Sequence, residues 1–302
     1  MNNKSSIILL IIIFFPVFSF CQLKLKIISV EDGHLLSYAT IRNSTQNYSK
    51  SANRTGEAII EGNFGDSIII SYVGYNDVGF IVNTEHQKLI SLSRTFMFLP
   101  EVQVFNCKKT KRFTLKNQFK IPKTGNYYGG VNWTYSDITN PYAFLINDIP
   151  SNSQIINLSF WLKKHYQSPD SIISAPIMIM AFAVDSLTQL PSKPLISKPI
   201  IYYPERDGKQ SINIDSVQLF TPKNGLYIAF QYIIDKKYSW EHPLKTTNGT
   251  DTTIISYGGI IEAGLVMRNY KSVIYDLSQR KWIKFAPNLI IKFEMEFKKC
   301  MN

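Results

Sequence analysis

The side chains best able to do chemistry are few in this sequence, and their spacing keeps them apart. Four histidines, His34, His86, His165 and His242, fall in unrelated segments, and none belongs to an H-x-x-E or H-E-x-x-H arrangement. A zinc peptidase needs two histidines and a carboxylate round one metal with an open position, and no such set is spaced here. Glu241 and His242 are chain neighbours, so on a strand they point to opposite faces. A serine hydrolase would need a nucleophile elbow of the G-x-S-x-G kind, which the chain lacks. Gly129-Gly130 and Gly258-Gly259 are isolated pairs with no helix after them, so neither makes a phosphate-cradling loop. Glu262, Glu294 and Glu296 are the carboxylates that distant strands could pair for glycoside hydrolysis. Their setting places them instead on solvated strand faces. The expectation is no catalytic residue, no metal ligand, no cofactor and no enzymatic activity.

Recognition of a sugar requires exposed rings that stack on its apolar faces, with amides and carboxylates nearby for its hydroxyls. The second half of the chain offers Trp133, Tyr135, Trp161, Tyr202, Tyr203, Tyr238, Trp240 and Tyr257. Large aromatics are mostly core residues, and most of these are expected there. Tyr238 and Trp240, set in the polar stretch 236–248, are the two expected at the surface and are the candidate ligand-binding residues. Of the three cysteines, Cys21, Cys107 and Cys300, no pair has metal-ligand spacing. An exported chain permits a Cys107–Cys300 disulfide, and nothing in the sequence shows that the two meet.

The elements that would carry these residues are strands. The chain has 302 residues, 45% hydrophobic and 18% charged, with 17 Tyr and 19 Phe, few Ala and abundant Ile. That composition is globular, and β-branched and aromatic side chains suit a pleated surface. The segment 23–30 begins with clean alternation, Glu31-Asp32-Gly33 turns, 38–41 reads as a strand, and 53–56 turns into 57–60. Ser67 to Val73 is a nearly continuous apolar run suited to a central strand covered on both faces. Gly74-Tyr75-Asn76-Asp77 breaks it before 78–82. Strands spaced at about ten residues with Gly, Asn and Asp turns predict a β-sandwich.

In the second half, 153–162 alternates, with Ile155, Asn157, Ser159 and Trp161 on one face and Ile156, Leu158, Phe160 and Leu162 on the other. Pro176 to Val184 reads as a buried strand, and Pro194 and Pro199 exclude a central strand after it. Further strands are expected at 210–215, 226–233, 260–266, 271–275 and 289–297, and no long amphipathic helix is expected. So many strands argue for a second sandwich of jelly-roll type.

Three ordered motifs carry a resemblance. Val30-Glu-Asp-Gly-His-Leu-Leu-Ser-Tyr-Ala-Thr-Ile41, Ala52-Asn-Arg-Thr-Gly-Glu-Ala58 and Asp66-Ser-Ile-Ile-Ile-Ser-Tyr-Val-Gly-Tyr75 resemble the carboxypeptidase-regulatory-like domain over residues 23–105. Leu36 stands where that domain usually has Pro-Leu, and Ala58 where it usually has an aromatic. Leu99-Pro-Glu-Val-Gln-Val104 is similar to its closing segment. The resemblance implies a transthyretin-like β-sandwich, generally non-catalytic, that accompanies other modules in exported proteins of Gram-negative bacteria. The second half is only faintly similar to uncharacterised jelly-roll modules that accompany it.

Export has its own signal. Lys4 precedes an unbroken apolar run from Ile7 to Phe15, Pro16 interrupts it, and Ser19-Phe20-Cys21 fits a cleavage site before Gln22. The run is shorter than the ~20 residues of a spanning helix. A retained signal anchor or a lipid on Cys21 are the alternatives, though Phe20 stands where lipoprotein processing expects a small residue. The expected organisation is a signal peptide 1–21, a carboxypeptidase-regulatory-like β-sandwich 22–105, a linker 106–130 holding the basic run Lys108–Arg112, and a jelly-roll-like β-sandwich 131–302. The destination is the periplasm, the outer-membrane surface or the medium. The formal charge of +11 suits acidic surfaces or plain solubility, and export excludes nucleic acid as a partner. The expected role is that of a structural or adaptor protein of the envelope, engaging an envelope protein or the outer membrane. A carbohydrate-binding module that meets a surface glycan is the alternative.

Overall fold

The computed structural model describes residues 21–83, 87–95, 109–116, 140–147, 149–164, 168–245, 251–256, 260–261, 263–265, 272–276, 281–284, 289–291 and 293–301. The leader, Glu262, Cys107, His86, His165, Trp133, Tyr135, Tyr257 and the segment 99–104 lie outside the described residues, as do the side chains of Cys300 and His242. Among the described residues the protein is all-β, interrupted by two short 3-10 turns at Asp215–Val217 and Lys236–Tyr238.

Seven strands build the first sandwich: β1 (Cys21–Ser29), β2 (Thr40–Asn43), β3 (Tyr48–Ser51), β4 (Glu57–Gly62), β5 (Ser67–Ser71), β6 (Val78–Ile81) and β7 (Gln87–Leu92). One sheet runs β4-β1-β7, with β1 and β7 parallel, and the other β3-β2-β5-β6. Strict alternation sends Leu23, Leu25 and Ile27 of β1 inward against Ile41, Ile60, Ile68 and Ile70. The run 67–73 is central as expected, but it is buried on alternate residues only, with Ile69 half-buried. Asp66, 5% exposed, pins one end of this sandwich. Its Oδ2 accepts from Asn43 Nδ2 at 2.8 Å, Gln46 Nε2 at 2.6 Å and the Asn63 amide at 2.9 Å. Two turns are thereby fastened to one carboxylate.

The second sandwich starts earlier than its sequence suggests. Residues 109–116, expected within a linker, form β8 (Lys109–Lys116), an edge strand paired with β23 (Phe293–Met301). Lysines dominate this segment, which hides the strand in the sequence. Charged edge strands are a common guard against stray pairing, and Phe113 and Leu115 pack against the core beneath them. The other strands are β9 (Tyr142–Ile146), β10 (Ser153–Lys163), β11 (Ile177–Val184), β12 (Pro191–Pro194), β13 (Ile200–Tyr202), β14 (Gly208–Asn213) and β15 (Leu226–Tyr232). After them come β16 (Trp240–Lys245), β17 (Asp251–Ser256), β18 (Ile260–Ile261), β19 (Ala263–Leu265), β20 (Ser272–Asp276), β21 (Lys281–Lys284) and β22 (Leu289–Ile291).

The strand order is that of a jelly roll, β8-β23-β10-β14 in one sheet and β9-β15-β11 with β12 and β13 in the other. An insertion, β16 to β22, separates β15 from β23, and its β20 and β21 extend the second sheet beyond β9. The proline-bearing β12 lies at an edge, as a strand lacking amide donors must. Between the sheets, Phe144 stacks on Phe230 and on Phe293, with centroids 6.0 and 5.2 Å apart, and Phe160 meets Phe230 edge-on at 5.2 Å. The alternation read along 153–162 breaks once. A β-bulge between Ile155 and Asn157 brings Ile155 into the same core as Leu158 and Phe160, because an extra residue in one strand reverses the facing of everything before it.

Candidate functional site

Alternation along β11 and β15 points Ile179 and Phe230 to one face of the sheet and Met178, Phe182 and Gln231 to the other, the face that meets the first sandwich. Tyr275 of β20 and Trp282 of β21 are register partners on that same face. Trp282 meets Phe182 and Tyr275 edge-on, at 5.4 Å each. This apolar floor is roofed by one end of the first sandwich. Gln231 Nε2 donates to Thr40 Oγ1 at 3.1 Å, the Ser51 amide donates to the Ile234 carbonyl at 3.1 Å, and the Ile234 amide donates to Ser51 Oγ at 3.0 Å. Gly74 comes up against Pro194 of β12. A Cβ on Gly74 would lie 3.4 Å from the proline ring, and its φ of +85° suits glycine best. The glycine that breaks the apolar run 67–73 also sets how closely the two sandwiches meet.

Between floor and roof lies a cavity of about 220 Å³. Its roof carries Tyr38, Tyr72, Tyr75 and Asp77, and its floor Phe182, Tyr275 and Trp282. Each tyrosine of the roof is held by a specific contact. Tyr38 adopts φ +64°, a conformation that is strained for a bulky residue. Its hydroxyl shares a 2.6 Å hydrogen bond with that of Tyr203 in the second sandwich. Tyr72 and Tyr75 meet edge-on at 5.4 Å. Arg94 Nε donates to the Tyr75 hydroxyl at 3.1 Å, and the same guanidinium pairs with Asp32 at 2.5 Å. Burial pushes Tyr38 up to about 12, helped by the bond to Tyr203, and burial also pushes Tyr72 upward. Both phenols are therefore neutral at physiological pH.

Polar side chains of the lining are already engaged in several places. Thr40 accepts from Gln231, Ser192 Oγ donates to the Ala183 carbonyl at 3.1 Å, and Tyr75 accepts from Arg94. What remains for an incoming molecule is chiefly ring face and aliphatic edge, with Ser71 and Thr95 as further hydroxyls in the lining. A second hollow at the junction, about 370 Å³, is lined by Lys24, Lys50, Asn53, Glu57 and Asp235 and contains no ring. Ligand sites favour concave, mainly apolar settings between domains, so the ring-lined cavity is the candidate.

The residues singled out in the sequence lie elsewhere. Trp240 is 6% exposed, which corrects the expectation that it faces solvent. Tyr238 is half-buried against the core of the second sandwich. The reason is local. Asp235 caps a 3-10 turn by accepting from the Lys237 amide at 2.9 Å, so Asp235, Lys236 and Lys237 face water while Tyr238 and Trp240 turn back inward. Local polarity marked the turn correctly and its aromatics wrongly. Glu294 and Glu296 lie on the outward face of β23. Burial raises Glu294, but bonds from Lys209 at 3.1 Å and Lys116 at 3.2 Å outweigh it and hold the carboxyl below the usual range. His34 is exposed on a turn of the first sandwich. Among the described residues, no three of His, Cys, Asp or Glu converge as a metal site would require. Sequence reasoning missed the cavity because its roof, Tyr38 to Asp77, and its aromatic floor, Phe182 to Trp282, come from segments more than 100 positions apart. The one available signal was the third motif, Asp66 to Tyr75, whose last residues supply Tyr72 and Tyr75.

An all-β protein of two sandwiches, with an aromatic cavity at their junction, is the class that fold and site define. No family model matches the chain, and no curated protein matches it. Among solved structures, it is similar to the cysteine protease and lectin-like domains of Cwp84, a surface layer associated protein of Clostridium difficile, at 10% identity and a TM-score of 0.33. That likeness covers 53% of this chain and 32%, about a third, of the other.

Proposed function

We propose that this chain is a non-catalytic, exported protein of the cell envelope that acts as an adaptor, holding a segment of another envelope protein in the cavity between its two sandwiches. Its first sandwich is a carboxypeptidase-regulatory-like domain in this reading, supported by the three ordered motifs and by the seven-stranded layering on which they fall. The observation that carries the binding role is the cavity of about 220 Å³, walled by six aromatic rings from both sandwiches. Aromatic-lined grooves of this kind take up extended peptide segments, and rings supply large contact areas at small entropic cost. Since Thr40, Ser192 and Tyr75 already have partners, the lining favours apolar and proline-like groups over a polyhydroxylated one.

A surface glycan is the second reading, favoured by the ring faces of Tyr72 and Trp282 beside the Asp77 carboxylate. A photo-crosslinking residue at Tyr275, introduced in the living envelope, separates the two. The adaptor reading expects a discrete crosslinked protein that disappears when Trp282→Ala is added. Saturable binding of an oligosaccharide on an array, lost in the same variant and with no crosslinked protein, would assign the cavity to the glycan instead.

A further inference from the structure

The first sandwich has two unlike ends. The end that meets the second sandwich contains the starts of β2 and β6 and the finish of β5; the opposite end gathers the start of β1, the finish of β4, the turn 63–66 and the finish of β6. At that far end Phe64 is 79% exposed and Ile81 58% exposed. The two are close in space, since the Gly65 amide donates to the Val82 carbonyl at 3.0 Å and Ile81 is the register partner of Ser67. Around them the described turns expose uncharged side chains, Ser44, Thr45, Gln46, Asn47, Asn63 and Asn83. Of the two acidic residues described there, Asp66 is turned inward into its own hydrogen bonds, whereas Glu61, at the finish of β4, is exposed. Among the described residues, that end thus combines two protruding hydrophobics with turns of mainly uncharged polar side chains.

The same end receives the N-terminal segment. Cys21 opens β1 opposite Gly62, two residues from Phe64. The apolar run Ile7–Phe15 stands just before it in the sequence. Whether that run is removed, retained, or replaced by a lipid on Cys21, the chain enters the fold at the end that carries Phe64 and Ile81.

We propose that this end rests on a lipid bilayer, with Phe64 and Ile81 inserted at the level of the headgroups and the asparagine and serine rim hydrogen-bonded to them. Apolar side chains on a mainly uncharged polar surface bind an interface through the area they bury. β1 is nine residues long, so the first sandwich would hold the junction cavity about 30 Å above the membrane. The inference rests on the envelope placement proposed above and adds the surface that faces the bilayer.

Phe64→Trp is the direct test. The full chain, purified as the cell processes it, is mixed with vesicles of phosphatidylethanolamine and phosphatidylglycerol containing brominated acyl chains. Emission from F64W is expected to shift to the blue and to be quenched. Leu187→Trp serves as the control, because Leu187 is 91% exposed on a loop of the second sandwich. Quenching of F64W no greater than that of L187W would overturn the proposal, and so would equal quenching of both. Phe64→Asp with Ile81→Asp, at exposed sites where the fold is retained and checked by circular dichroism, is expected to lower vesicle binding about tenfold or more. Unchanged binding by that pair would also count against it. Crosslinking at Tyr275 reads the opposite end, so either proposal can fail without the other.

Discussion

The two sandwiches solve the same packing problem with different materials. The first fills its core with aliphatic side chains from short strands, Leu25, Ile27, Ile41, Ile60, Ile68 and Ile70 among them, and no aromatic residue belongs to that buried set. The second builds its core on stacked rings, Phe144, Phe160, Phe230 and Phe293, and needs a bulge in β10 to bring Ile155 into line. Small branched residues fit a two-layer space through alternation alone. Large rings must match one another in position and tilt, which ties the second sandwich to long-range geometry. The outer face of its second sheet is apolar as well, and that surplus face becomes the floor of the cavity. The regular unit thus supplies the roof and spacing, and the irregular unit supplies the recognition surface.

The described tryptophans, Trp161, Trp240 and Trp282, all belong to the second sandwich, so tryptophan emission follows chiefly that sandwich while far-ultraviolet circular dichroism follows both. Phe230→Ala should have the largest effect. Losing the ring shared by Phe144 and Phe160 should cost about 3–5 kcal/mol, and the emission transition in urea should fall well below that of the first sandwich. A smaller loss would mean the ring cluster collapses easily and that the two cores are more alike than they look. Next comes Asp66→Ala. It strands Asn43 and Gln46 as donors and should cost about 1–3 kcal/mol. Its effect should appear in circular dichroism and leave the emission transition in place; if both transitions move together, the sandwiches unfold as one unit.

Gly74→Ala should cost about 1–2 kcal/mol from its positive φ and should loosen the junction, weakening ligand binding in the cavity more than either core. Equal affinity in that variant would show that the approach to Pro194 is not what shapes the cavity. The buried phenols have no effect near neutral pH and act only in alkali. Burial raises Tyr38, Tyr48 and Tyr227 each to about 12 from the usual 10. Because the folded chain then binds more protons than the unfolded chain above pH 10, stability is intact below that pH and falls as pH climbs from about 10 to about 12. Absorbance of phenolate near 295 nm should lag behind that of free tyrosine over this window. Tyr38→Phe removes one of these late phenols, so its curve should fall below that of the parent only near pH 12; a phenolate lost instead from the part of the curve near pH 10 would contradict the assignment.

Much of the fold was legible in the sequence because it depends on period-two burial. β1, β4, β5, β11 and β15 lie where alternation or an apolar run places them. The missed strands are informative. β3, with sequence Tyr-Ser-Lys-Ser, and β8, with four basic residues in eight, are edge strands. An edge needs little apolar area and gains from charge, so it carries almost no periodic signal. Trp240 shows the opposite failure. Its neighbours are polar, yet a single capped turn buries it.

By itself, then, the sequence determined the all-β class, the two sandwiches and the core face of most strands. Each follows from residue type and a spacing of two, and those are local properties. Only the tertiary structure decided the edge strand at 109–116, the bulge that re-aims β10, and the meeting of Tyr38, Tyr75 and Trp282 round one cavity. Those outcomes depend on which distant surfaces are left apolar after each core has closed, and no window of neighbouring residues contains that information.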